Sequence, residues 1–163
     1  MKLNRKLEIM KNIGIPAKFG IMIAVGLIVY FLALSLVGLH TNPLFSFLNC
    51  AIMAFGIWMA IKAKRKNDST LFKYGEGFTT GLITGFIATT LFTIFFGIYA
   101  SELNPDFLDQ FVTMWRSQYQ AGLGVVLFSV YAMGAATTFA LTLTFMQLFK
   151  KSWNTSEGQK HTM

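Results

Sequence analysis

The residues able to do chemistry are few and scattered. His40, Glu102, Asp106 and Asp109 could together offer a cation nitrogen and oxygen ligands. One histidine and three dispersed acids match no ligand spacing, so they read as solvated loop residues. The single cysteine, Cys50, can form no intrachain disulfide and lies in an apolar run. It reads as a small packing residue, because a reactive thiol needs an electropositive, partly exposed setting. There is no glycine-rich phosphate loop, nucleophile elbow or pair of metal-binding histidines. The expectation is a protein that is not an enzyme, with no catalytic residue, no cofactor and no metal site.

Two other groups of residues could matter. Tyr30, Asn49 and Tyr131 stand inside long apolar stretches. Hydroxyls and amides in hydrocarbon need partners. Hydrogen bonds between helices are the first reading; a polar cavity lined by Tyr30, Asn49, Thr84 and Tyr131 is the functional one. The second group is Gly77-x-x-x-Gly81-x-x-x-Gly85, with Thr80, Thr84 and Ala88 beside it. Small residues at this spacing let helix backbones approach closely. A matching stripe is Ala132-x-x-x-Ala136-x-x-x-Ala140. Packing within one chain is the expected use, and homodimerisation the alternative. Beyond Ala88 the face turns to Leu91, Phe92 and Phe95, so the third span should part from its neighbour there.

These residues sit on four uncharged runs. Of the chain's 163 residues, 54% are hydrophobic and only 13% are charged. The runs cover about 19–39, 44–61, 77–99 and 122–149, and none contains Asp, Glu, Lys, Arg or His. Three are long enough for a hydrocarbon core of about 30 Å; the second, at about 27 Å, just suffices if its flanking lysines snorkel. The first run exceeds the length of a signal-peptide core, so it reads as a retained span. The pattern predicts an all-α fold: an integral membrane four-helix bundle with a short outer interfacial helix. That helix would start at Asn104-Pro105-Asp106 and present Phe107, Phe111 and Trp115 to the membrane. Residues 1–18 form a basic cytoplasmic segment in which Gly14 and Pro16 should break any helix. Residues 19–151 form the membrane domain, and 152–163 a cytoplasmic tail. Residues 62–76 read as a polar loop.

Charge sets the orientation. The net charge is +7, and the cations sit in clusters between the runs; no isolated basic face suggests nucleic acid. Thirteen Lys and Arg fall on the side of the termini and of the 62–76 segment, against Arg116 alone on the other. The positive-inside rule places both termini in the cytoplasm. The absence of ionisable groups from the spans argues against proton-coupled transport.

The segments Phe72-Lys73-Tyr74-Gly75-Glu76-Gly77-Phe78, then Gly81, Tyr99 and Asn104-Pro105-Asp106-Phe107-Leu108 resemble the family called domain of unknown function 4199. Its members are small four-span membrane proteins found mainly in Bacteroidota. The resemblance extends essentially from Ala17 to Lys151, although the outer segment is shorter and less charged here. It implies the four-span topology and a bacterial inner membrane, and carries no activity. The expected role is therefore an accessory or assembly subunit, whose partners are the lipid bilayer and a membrane protein or a second copy. The alternative is a small facilitative carrier or channel-like oligomer for a small solute.

Overall fold

The computed structural model describes residues 2–38, 43–67, 73–103 and 122–149. They form helices α1 (Lys2–Leu36), α2 (Pro43–Asn67), α3 (Tyr74–Ile98) and α4 (Leu123–Phe149). A π-helical turn, Tyr99–Leu103, continues α3. No strand occurs among the described residues. Each helix holds a stretch long and apolar enough to cross a membrane: Gly14–Leu36, Phe47–Asn67, Tyr74–Leu103 and Leu123–Phe149. Hydrocarbon offers the backbone no hydrogen-bond partner, so an apolar run must satisfy its own N–H and C=O groups as a continuous helix. The fold is an all-α membrane bundle of four helices. The expected interfacial helix falls within 104–121 and lies outside the described residues, as do the tail and His40, Asp106 and Asp109.

Two boundaries differ from expectation. The helix of α1 runs through Gly14 and Pro16 instead of breaking there. Proline removes one N–H and leaves one carbonyl of the preceding turn without its usual donor. Neighbouring helices and water can compensate for this in membrane helices, and Pro16 is fully buried against the bundle. The helix of α2 continues to Asn67, so Lys62, Lys64, Arg65 and Lys66 are helical, not loop. Lysine and arginine are good helix formers, and cations in a last turn complement the helix dipole.

The α1 and α3 helices run parallel, with α2 and α4 antiparallel to them. Gly20 of α1 lies against Thr84 and Ile87 of α3, and Ser35 hydrogen-bonds Tyr99 one bundle length away. The α2 and α3 helices form the short diagonal, each packing on the three others. The α1 and α4 helices stand at opposite corners. The similar segments Asn42-Pro43-Leu44-Phe45 and Asn104-Pro105-Asp106-Phe107 hint at two duplicated hairpins. A two-fold relating such hairpins would make α1–α4 packing match α2–α3 packing, and it does not.

The core has two layers. At the basic end, which holds the α2 C-terminus and the α3 N-terminus, Ile23, Ile57, Ile61 and Met146 interlock. At the opposite end Phe31 meets Phe92, Phe95, Phe96 and Tyr99 edge-on, with ring centroids 5.0–6.2 Å apart. Such edge-to-face pairs follow the ring quadrupoles. The α3 and α4 helices do not part beyond Ala88. A methyl group on Gly97 would lie 3.3 Å from Leu127, so contact persists there.

Candidate functional site

Where α3 crosses α4, every fourth residue of one helix meets every fourth residue of the other. Gly81 faces Thr142, Gly85 faces Thr138, and Thr89 faces Gly134. Residues four apart on a helix share a face, so both rows are continuous ridges. At each crossing one helix offers a glycine and the other a threonine; the glycine changes sides at the third. A methyl on Gly81 would lie 2.6 Å from Thr142 Cγ2 and 2.8 Å from its Oγ1. One on Gly134 would lie 2.5 Å from Thr89 Cγ2. Bare Cα positions are what let the backbones come this close. Gly20 does the same between α1 and α3, where a methyl would lie 2.9 Å from the Thr84 carbonyl oxygen. Gly77, Gly81 and Gly85 are all buried.

The alanine stripe expected to meet these glycines does not. Ala132, Ala136 and Ala140 are exposed. Position 134 lies two residues from 132, about 200° around the helix, so the two stripes occupy nearly opposite faces. The bundle turns the Gly134–Thr138–Thr142 face inward. Sequence reasoning passed over that face, although it has the same small-residue spacing. Fit explains the choice: Thr138 and Thr142 fill the space over Gly85 and Gly81, and the bare Gly134 admits Thr89.

The four residues expected to line a polar cavity are not brought together. Tyr30 donates from its hydroxyl to the Phe45 carbonyl at 2.9 Å, tying α1 to the start of α2. Thr84 is fully buried at the level of Gly20. Tyr30 stands ten residues beyond Gly20 on α1, about 15 Å farther along the axis. Asn49 is half-buried, and Tyr131 lies on the exposed side of α4.

The serine and threonine hydroxyls on α4 and in its seam with α3 differ in what they meet. Those on the lipid-facing surface serve themselves: Ser129, Thr137 and Thr144 each donate to the carbonyl four residues back at 2.8 Å. Thr138, in the seam, does the same to Gly134. By contrast the hydroxyls of Thr84, Thr89 and Thr142, and the Asn49 Oδ1, are enclosed without a partner. Burying a hydroxyl unpaired costs about 1–3 kcal/mol, so each is a place for an internal water or another polar atom. Of the outer acids only Glu102 is described, and it is exposed.

The seam joins α3 and α4 by close packing of glycine on threonine, and none of its residues is charged. Neither a curated protein nor a solved structure matches this chain. A family model described as "Protein of unknown function (DUF4199)" matches residues 18–124. That stretch holds α3 and its glycines and stops at the start of α4, short of Lys151. With most of its length matched, the chain belongs to the DUF4199 family of proteins of unknown function.

Proposed function

We propose that this chain is a non-enzymatic multi-pass membrane component, an accessory or assembly subunit that acts by binding protein or lipid. The observation that carries the reading is the surface of α4. Ala132, Ala136 and Ala140 form a smooth exposed stripe on the least covered of the four spans. Lipid tails are as apolar as leucine, so helices associate in a membrane by close packing, which small residues permit. The glycines are already used inside the bundle, and the alanines are free to receive another helix. The 13-to-1 distribution of Lys and Arg supports a bacterial inner membrane location with both termini cytoplasmic.

Cysteine crosslinking tests the contact. Ala136→Cys in the full chain, treated in native membranes with a short bifunctional maleimide, should yield a defined adduct with a partner or with a second copy. The Leu substitution at Ala140 should suppress it. A chain that stays uncrosslinked and extracts alone in mild detergent would remove the reading. A second reading, a facilitative carrier for a small uncharged solute, draws support from the enclosed hydroxyls of Thr84, Thr89 and Thr142. Proteoliposomes no more permeable to glycerol or urea than empty vesicles would count against it.

A further inference from the structure

The end of α2 presents three cations on one face. Lys62, Arg65 and Lys66 are all exposed and follow the i, i+3, i+4 spacing that makes them neighbours. Lys18 and Lys73, also exposed, stand at the same end of the bundle. Three exposed cations on adjacent turns can engage one anionic group together. Two of the cations are also held in unusual places. Lys62 does not reach away from the membrane, as long basic side chains at a span end ordinarily do. Its Nζ folds back over Trp58, one turn deeper, 4.7 Å from the ring centroid. Arg65 reaches across to α4, with Cζ 5.4 Å from the Phe149 ring. Below Trp58 the aromatic surface continues: Phe55 lies 6.1 Å from it and is 65% exposed. Cations, interfacial tryptophan and apolar phenylalanine thus follow one another down a single helix face.

We propose that this face of α2, walled by Phe149, binds an anionic phospholipid, with the headgroup phosphate on Lys62, Arg65 and Lys66 and an acyl chain along Trp58 and Phe55. The proposal deepens the lipid-binding part of the proposed function and rests on it, but not on the alanine stripe. Arginine's planar fork matches a phosphate, and lysine adds a point charge. Tryptophan favours the headgroup level, which places Lys62 at phosphate depth. A free phosphate or an acidic peptide would use the cations and leave the aromatic surface unused; a phospholipid uses both.

The test is lipid binding to the intact, detergent-solubilised chain, followed by native mass spectrometry and thermal stability. Dioleoyl phosphatidylglycerol should bind saturably and raise the melting temperature, and dioleoyl phosphatidylcholine should not. A basic residue near the surface contributes about 1 kcal/mol, so each of Lys62→Gln and Arg65→Gln should weaken binding roughly fivefold. The double variant should weaken it roughly 30-fold, while Arg65→Lys, which keeps the charge and loses the fork, should fall between Arg65→Gln and wild type. Should the double variant not fold, Lys66→Gln, which leaves both ring contacts intact, supplies the same readout. Equal binding of the two lipids, or unchanged binding in the variants, overturns the proposal. So does displacement of phosphatidylglycerol by inorganic phosphate at low millimolar concentration, which would mark a free-anion site. Binding of a polyglutamate peptide tighter than the lipid would mark a protein-docking face and overturn it too. The Ala136 crosslink is read separately, so either idea can fail alone.

Discussion

Replacing Gly85 by alanine probes the tightest part of the seam. The added methyl would lie 2.5 Å from Thr138 Oγ1 and 2.9 Å from Thr138 Cβ. Rotating the threonine moves Oγ1 and Cγ2 but leaves Cβ where it is, so no rotamer relieves the clash. Reaching ordinary contact requires α3 and α4 to separate by roughly 0.5–1 Å. Overpacking of this kind costs about 1–3 kcal/mol, and the better helix propensity of alanine returns up to about 1 kcal/mol. The expected net loss is about 1–2 kcal/mol. Removing Cβ as well with Thr138→Gly should restore a good part of it, giving a coupling of about 1 kcal/mol between the positions. Equilibrium unfolding in mixed micelles on titration with dodecyl sulfate, followed by far-UV circular dichroism, measures all four corners of the cycle. Two controls isolate the cause. A methyl on Gly75 meets nothing within 4 Å, and one on Gly97 meets only the terminal carbons of Leu127 at 3.3 and 3.4 Å. Both alanine variants should be close to neutral. A Gly85→Ala protein with the wild-type midpoint, or strictly additive effects with Thr138→Gly, would refute close packing at this crossing.

Phe31 touches four rings of α3 and its π turn. Phe31→Ala should cost about 2–3 kcal/mol in the same assay, less than in a water-soluble core, because the unfolded reference in lipid is also apolar. Tyr99→Phe deletes the hydrogen bond to Ser35 and should cost only about 0.6 kcal/mol, with the bundle still formed. A cysteine replacing Ser69 should resist a membrane-impermeant maleimide in intact cells and react after permeabilisation; labelling from outside would reverse the proposed orientation.

The four spans were legible because each is a long apolar run without a charge, and hydrocarbon leaves such a run no alternative to a helix. The glycine face of α3 was legible for a similar reason, since Gly77, Gly81 and Gly85 recur at one spacing. Its partner was not. Two small-residue stripes on α4 have the same period, and period alone cannot say which turns inward; Gly134, Thr138 and Thr142 do so because they fit against Thr89, Gly85 and Gly81. The pairing of α1 with α3 was equally hidden, because close approach at Gly20 depends on Thr84 and Ile87, more than sixty residues away. Helix ends were blurred where lysines favour both helix and water, as at Lys62 to Lys66. Tyr30 and Thr84 looked alike as polar residues within spans, but only the third dimension separates a bonded hydroxyl near one membrane face from an enclosed one near the other.

The parallel contact between α1 and α3 has a consequence for biosynthesis. The face of α1 that carries Gly20, Ile23, Leu27 and Phe31 is completed by a helix ending at Ile98, 62 residues after Leu36. At about 5–20 residues per second of translation, the first helix waits roughly 3–12 s for that partner. During the wait, lipid or an insertase must occupy the face that α3 will take. A ribosome stalled before the third span would therefore leave this face of α1 open, while one stalled just after it would already hold the parallel pair.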